Sequence, residues 1–407
     1  VLTAAQHLLA IFIGISTPPL IICGVLEAGP EQTAMMVNLA LFVSGLATIV
    51  QTRGIGPVGS RLLAIQGTSF AFIGPVLFAR DDLAARVGAD QLFGTLFGTA
   101  AVGALGVVAL SFYLGRVHRV ITPVVTATTV ALLGLSLIEV DVQSMLAQHR
   151  EASEAAARYR LWGLFALTAG TVCALQWAGN AHLKLVAIGA GFAAGYLASL
   201  VLGLLDFSAV AQAPVWVTPE PLRFRLGFDA FLFVAFAPAY LVSLTESIGD
   251  LTATSALSGR PVVGPEYTRT IRRGVLADGL NSLLASVFCT FPNATFSQNN
   301  GVIRMTGIAS RRVGIWVGIL LVAVGLVPAV GAVLGAMPRP VLDGLTIVLF
   351  VHVTGAGARI LKVTGADRSA WLTTAAAIAG GHLVAAVSAA TPGLPALVRA
   401  VLEYPVA

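Results

Sequence analysis

Four consecutive polar residues interrupt an apolar region of the chain that is otherwise hydrophobic enough to cross a membrane. They are Ser297, Gln298, Asn299 and Asn300. Pro292, just before them, cannot continue a helix. Lipid offers no hydrogen bonds, so broken backbone at this depth must be buried in protein or line a cavity. Because transporters build substrate sites where a half-helix begins inside the membrane, the stretch predicts a binding site at such a start.

The side chains of this stretch suit a flat, polar ring as ligand. The amides of Gln298 and Asn299 each carry a donor and an acceptor, which matches the edges of purines and pyrimidines. Phe296, two residues before Gln298, could stack on the face of such a ring. A nucleobase-like ligand is therefore expected.

Three acidic residues stand inside other apolar segments. Glu246 and Asp250 are four residues apart in LVSLTESIGDLTATS, so on a helix they share one face. Asp278 lies in GVLADGLNS. A charge at the bilayer centre costs at least ~2.5 kcal/mol and usually serves ion or substrate work. The alternative for Glu246 and Asp250 is a structural carboxylate held by Ser and Thr. Asp278 could equally transfer a proton or hold a neighbouring helix in register.

The polar run also carries a resemblance to a known family. Gln298 to Gly301, followed by Thr306 and Gly307, resembles the signature of the nucleobase/ascorbate transporter family, also called nucleobase:cation symporter family 2. The stretches LADGLNSLLASVF and SQNNGVIRMTGIASRRVG are most similar to bacterial xanthine and uric acid permeases. Further motifs at Gln6-His7 and from Thr245 to Thr254 extend the resemblance over nearly the whole chain.

The resemblance implies the role of individual residues. It makes Glu246 the substrate-binding glutamate and places Asp250 where proton coupling usually occurs. Ser69, in the Thr-Ser-Phe motif, would face the purine edge where urate carries an extra oxygen, or it could only cap a short strand. The implied substrate-binding residues are Glu246, Gln298, Phe296, Ser297, Phe70, Ser69, His7 and Asn299. The implied proton-coupling residues are Asp250, Asp278 and Glu246, and any of the three could carry the transported proton.

Composition supports a polytopic membrane protein. Of the 407 residues 57% are hydrophobic and 11% charged, and the mean hydropathy is +0.88, whereas soluble domains carry roughly 25% charged residues. The basic residues form short clusters between apolar runs, which favours cytoplasmic loops over a nucleic-acid surface and places the N-terminus in the cytoplasm. The resemblance adds the bacterial inner membrane as location. Arg304 is expected to snorkel towards the aqueous phase.

Several classes of protein lack support in the sequence. The three cysteines form no CxxC pair, and no second His or Cys stands at metal spacing from His7, so neither a disulfide nor a metal site is indicated. We expect no cofactor. There is no HExxH, GxSxG or phosphate-loop motif, which argues against an intramembrane enzyme and against ATP-driven transport.

The predicted fold is an all-α polytopic membrane protein of fourteen spans, arranged as a 7+7 inverted repeat. Its third and tenth spans, residues 60–79 and 293–309, are broken, and we expect short extended segments at Ser69-Phe70 and Phe296-Ser297 with a half-helix from Gln298. The resemblance implies a core domain of residues 1–115 and 206–336 and a gate domain of residues 116–205 and 337–407. It also implies a homodimer formed through the gates.

The leading functional hypothesis is proton-coupled symport of an oxidised purine, uric acid or xanthine, by an elevator-type movement of core against gate. A uracil or other nucleobase symporter is the nearest alternative. An anion exchanger of the same architecture is a further one, but an anion site should avoid a carboxylate such as Glu246 facing its ligand.

Overall fold

The computed structural model describes residues 2–114, 123–178, 180–363 and 365–390. Within these ranges the chain is mostly helical. The helices of the N-terminal half are α1 (Leu2–Val25), α2 (Pro30–Arg53), α3 (Ile73–Val87), α4 (Ala89–Phe112), α5 (Pro123–Glu151), α6 (Ala155–Trp177) and α7 (Ala181–Val201). Those of the C-terminal half are α8 (Ser208–Gln212), α9 (Ala230–Leu257), α10 (Gly264–Val287), α11 (Gln298–Thr306), α12 (Arg311–Gly325), α13 (Pro328–Gly335), α14 (Arg339–Val363) and α15 (Arg368–Ala390).

Two three-residue strands meet inside the helical bundle. Strand β1 (Gln66–Thr68) pairs antiparallel with β2 (Asn293–Thr295), with Gly67 opposite Ala294. Both strands are fully buried. Gly67 is required at the crossing, because a Cβ there would lie 2.6 Å from the Phe296 ring and 2.7 Å from Ile15. Each strand thus gives the other the backbone hydrogen bonds that lipid cannot supply.

The predicted break and half-helix are confirmed, but the extended residues lie earlier than expected. Helix α11 runs from Gln298 to Thr306 and is capped by Gly307, whose φ of 69° is left-handed and whose N–H donates a hydrogen bond to the Ile303 carbonyl. Ser69 is extended, whereas Phe70 already starts a 3-10 turn and Ser297 is helical. The expectation of extended Phe70 and Ser297 was therefore wrong. The β-prone residues before them pair instead, and the phenylalanines and Ser297 begin the turns that follow.

Helices α2 and α12 pack closely, as do α4 and α10. The first pair meets through glycines: a Cβ on Gly45 would lie 2.6 Å from the Gly318 carbonyl oxygen, and one on Gly318 would lie 2.7 Å from that of Gly45. In the second pair, a Cβ on Gly279 would lie 2.9 Å from the backbone nitrogen of Val108. Small residues let these backbones approach, as is common in membrane helices.

The remaining long helices pack mainly among themselves. Helix α5 lies along α14 and also contacts α15, while α6 packs against α7 and α14. This second group touches the first where α7 meets α1 and α11, and where α5 meets α9 and α3. The half-helix α11 therefore lies at the contact between the two groups of helices.

Six helices of the described residues are long and apolar enough to cross a membrane, or seven if one bent pair counts as a single span. The bent pair is α12 and α13, which meet at 77°. The bent pair covers residues 312–334, one of the fourteen spans that the sequence predicts, and the bend within it was not predicted. The chain turns between Gly325 and Pro328, since a proline has no N–H to donate and starts a helix readily. The last predicted span, residues 393–405, lies outside the described residues.

Candidate functional site

Two phenylalanines flank the strand crossing. The ring centroids of Phe70 and Phe296 are 6.2 Å apart at an interplanar angle of 47°. Phe350 of α14 packs edge-on against Phe70, with centroids 5.6 Å apart. Inserting a flat ring between two others needs roughly 7 Å, twice an optimal carbon contact of about 3.5 Å. In this conformation a ligand can therefore stack on one outer ring face only, and a sandwich would need the rings to separate.

Ser69 lies next to this aromatic group and makes a structural hydrogen bond. It is 2% exposed. Its Oγ accepts a hydrogen bond of 3.3 Å from the Ala71 backbone N–H and so caps the 3-10 turn. The hydroxyl group thus performs the capping task that the sequence left as one of two roles.

The carboxyl groups of α9 are half-buried beside the half-helix. No hydrogen bond joins the Glu246 carboxyl group to another described residue. Asp250 lies one turn further along α9, close to Glu246 and to Asp278 of α10. Its backbone carbonyl accepts hydrogen bonds from Asn300 Nδ2 at 3.3 Å and from Thr254 Oγ1 at 2.8 Å. Glu246 thus keeps its acceptor oxygens free for a ligand.

Asp278 links three elements of the fold through side-chain hydrogen bonds. It is 6% exposed on α10. Its Oδ1 accepts hydrogen bonds from Gln66 Nε2 of β1 at 2.8 Å and from Gln51 Nε2 of α2 at 3.1 Å. Neither glutamine was identifiable from the sequence, since each is more than 200 residues away from Asp278 in the chain and neither belongs to a motif. This carboxyl group fixes the broken third span against α10.

The other oxygen of Asp278 borders a small polar cavity. Asp278 Oδ2, Ser247 Oγ and the Asn293 amide make no hydrogen bond of normal geometry to a described residue, although Ser247 lies close to the Asp278 carboxyl group. All three residues line a cavity of about 10 Å³ between α9, α10 and β2. That volume holds about one water molecule. The cavity thus lies where the Asp278 carboxyl group meets Ser247 of α9.

His7 and Asn299 lie together on the other side of the half-helix. His7 is completely buried in α1, and its ring lies beside the Asn299 side chain. Neither ring nitrogen makes a hydrogen bond of normal geometry to a described residue. Asn299, 1% exposed, donates through Nδ2 to the Leu63 carbonyl. In this conformation Asn299 anchors α11 to the chain before β1, whereas a ligand contact was expected.

Gln298 lines a second cavity, which is larger than the one beside Asp278. This cavity has a volume of about 370 Å³, which is within the roughly 300–1,000 Å³ usual for small-molecule sites. Its lining residues come from α1, α6, α7 and α11: Ala10, Gln176, Lys184, Ile188, Gln298, Gly301, Arg304 and Met305. Ser297, beside Gln298, is exposed. The amide at the start of the half-helix is therefore accessible to a ligand.

The structure places the predicted residues in four groups. Phe70, Ser69 and Phe296 surround the strand crossing, and the three carboxyl groups lie on α9 and α10. His7 lies beside Asn299, and Gln298, next to Ser297, faces the large cavity. Of the predicted site residues only Gln298 lines that cavity. Phe350, Gln66, Gln51, Gln176 and Lys184 were not identified from the sequence. The described residues contain no cluster of His, Cys, Asp and Glu that could hold a metal ion.

Comparison with known proteins places the chain among membrane permeases. A model described as the permease family matches residues 1–390. The xanthine permease XanP of Escherichia coli K12 is 38% identical over 385 residues, which cover 93% of this chain and 82% of that protein. The uric acid permease PucJ of Bacillus subtilis is 28% identical over 376 residues, covering 91% and 81%.

The fold is also that of a solved transporter. The transmembrane domain of the cyanobacterial bicarbonate transporter BicA superimposes with a TM-score of 0.65 at 15% identity, covering 98% of this chain and 97% of that domain. The permease family model and the permease relatives indicate a multi-pass membrane transporter rather than an enzyme. The chain belongs to the nucleobase/ascorbate transporter family.

Proposed function

We propose that this protein is a secondary-active symporter that carries an oxidised purine, uric acid or xanthine, together with protons. The relatives named above are a xanthine and a uric acid permease, which supports the purine. The observation that carries the proposal is the acid cluster beside α11, in which Glu246 and Asp250 lie one turn apart on α9 and Asp278 lies on the neighbouring helix α10. Three carboxyl groups within reach of one another in a membrane are costly unless they exchange protons or bind substrate.

Each group has a separate role in this proposal. Glu246 accepts hydrogen bonds from the ring N–H groups of the purine, since its carboxyl oxygens have no other described partner. Gln298 pairs with another edge of the ring from the cavity. Phe70 and Phe296 supply the stacking surface, and Asp250 takes up the coupled proton. Asp278, held by two glutamines, is either a proton site or the group that fixes β1.

We further propose fourteen spans in a 7+7 inverted repeat. The helix contacts support this repeat. Counted in chain order among the predicted spans, α2 and α12 are spans 2 and 11, which pack together, and α4 and α10 are spans 4 and 9, which also pack together. Exchanging spans n and n+7 turns one pair into the other. The strand pair joins spans 3 and 10, and α5 with α14 joins spans 5 and 12, so each maps onto itself.

The transport movement we propose is an elevator of core against gate. The core comprises residues 1–115 and 206–336, and the gate residues 116–205 and 337–407. The separate packing of the two helix groups supports this division. The remaining proposals are a homodimer formed through the gates, a place in the bacterial inner membrane and a cytoplasmic N-terminus.

An anion exchanger is a second candidate, because the fold is shared with a bicarbonate transporter. Glu246 counts against it, since a small inorganic anion has no ring N–H groups to donate to a free carboxylate. Uracil or another nucleobase is the closer alternative within the family.

Uptake of labelled urate, xanthine, uracil and bicarbonate into proteoliposomes distinguishes these candidates. We expect saturable uptake of one or both oxidised purines, and competition between them. Uptake of bicarbonate without purine would contradict the proposal. Uptake of uracil alone would make uracil the substrate instead of an oxidised purine. Empty liposomes provide the background.

A further inference from the structure

The 370 Å³ cavity beside Gln298 carries positive charge without a compensating acid. Lys184 at the start of α7 and Arg304 near the end of α11 both line it. Neither forms an ion pair within the described part of the chain, and the lining residues include no Asp or Glu. Clefts lined by one sign of charge concentrate ligands of the opposite sign and accelerate their entry.

The two oxidised purines differ in charge as well as in shape. Uric acid loses its first proton below neutral pH and is then a monoanion, whereas xanthine stays neutral in mildly acidic solution. We propose that the cavity is the aqueous entrance to the substrate site, and that Arg304 and Lys184 make it favour a monoanionic purine over a neutral one. This inference rests on the proposed function, because it names the form of the substrate that the same site receives.

The position of Arg304 fits an entrance better than direct contact with a purine bound at Gln298. Arg304 lies six positions after Gln298 on α11, which is about 9 Å along a helix. That is close to one screening length of roughly 10 Å at 0.1 M salt. Arg304 therefore attracts an approaching anion mainly through space, and its effect must weaken as salt is added.

The two cations also offset the repulsion between an anionic purine and the Glu246 carboxyl group. Glu246 is not among the residues that line the cavity, so an approaching anion reaches Gln298, Arg304 and Lys184 first. A purine entering as a monoanion meets positive charge before the carboxyl group that binds its N–H edge. A snorkelling arginine, as expected from the sequence, would gain only contact with water or lipid headgroups from this position.

Equilibrium binding to the full chain in nanodiscs tests the inference. Labelled urate and xanthine are titrated at mildly acidic pH and low salt into wild type, Arg304→Gln, Lys184→Gln and the double variant. Arg269→Gln is the matched control, because Arg269 is an exposed cation on α10 that does not line the cavity. We expect Arg304→Gln to lower the ratio of urate to xanthine affinity by about two- to twentyfold, the effect of one charge at this distance, and Lys184→Gln to shift the ratio in the same direction. Added salt should weaken urate binding in wild type and not in the double variant.

Each other outcome has a definite meaning. Equal losses for both purines, an unchanged ratio, or an equal shift in Arg269→Gln would overturn the role of the cavity cations while leaving purine binding in place. Absence of binding by either purine in wild type would instead overturn the proposed function. The two failures are therefore distinguishable.

Discussion

At the scale of single residues, the account depends most on the Glu246 carboxyl group. Hydrogen bonds to a charged group contribute roughly 1.5–3 kcal/mol. Glu246→Gln keeps the size of the side chain but removes the charge, so purine affinity should fall about tenfold or more. The measurement is equilibrium binding of labelled purine. Glu266→Gln is the control, because Glu266 is an exposed acid in the first turn of α10. Unaltered affinity in Glu246→Gln would remove this residue from the site.

The substitution Ser69→Asn distinguishes the two roles considered for Ser69, which are capping the 3-10 turn and facing the purine. Asparagine also caps helix starts well, so the 3-10 turn should survive the change. The larger side chain fills space next to Phe70, which should shift preference from urate towards xanthine by roughly 10- to 200-fold, or about 1–3 kcal/mol. Competition uptake with both purines gives the ratio for wild type and variant. An unchanged ratio would leave Ser69 with its capping bond to Ala71 alone.

The residues of the site could be identified from the sequence more readily than the residues that contact them. Glu246 and Gln298 were identifiable because polar groups are conspicuous in apolar segments. The glutamines that hold Asp278 were not, since their role arises only when β1 and α2 fold against α10. Phe350 resembles any other apolar residue of α14 until Phe70 packs against it.

At the scale of elements, the pairing of α2 with α12 makes a stability prediction. Replacing a helix-interior glycine by alanine normally stabilises a helix by roughly 0.5–1 kcal/mol. At Gly318 the added carbon would meet the Gly45 carbonyl oxygen at 2.7 Å, so Gly318→Ala should instead destabilise by about 1–3 kcal/mol. Gly106→Ala on α4 is the control, because nothing lies within 4 Å of a Cβ there. Thermal unfolding in detergent compares the two, and a Gly318→Ala protein at least as stable as Gly106→Ala would refute the close packing.

The ends of the helices and strands show which local sequence signals were sufficient to predict them. Pro292 and the polar run were enough to predict that α11 starts at Gln298. The bend between α12 and α13 also had a signal, the GLVP sequence of residues 325–328, but its apolar composition concealed it within an apparently continuous span. The strand register could not be predicted, because it depends on the fit of Gly67 against Phe296.

At the scale of the whole molecule, the central claim is that purine movement is coupled to protons. The acid cluster and the contact between the two helix groups lie in the same region, so a proton taken up by Asp250 could control the movement of core against gate. Asp250→Asn cannot exchange that proton. We therefore expect this variant to bind purine with an affinity close to wild type but to lose accumulation against a gradient.

Uptake of labelled urate and xanthine into proteoliposomes under an imposed pH gradient, with and without a protonophore, tests this claim most directly. The account predicts that wild type accumulates purine above the external concentration, that the protonophore abolishes this accumulation, and that Asp250→Asn only equilibrates its substrate. Accumulation by wild type that persists in full with the protonophore present would contradict proton coupling.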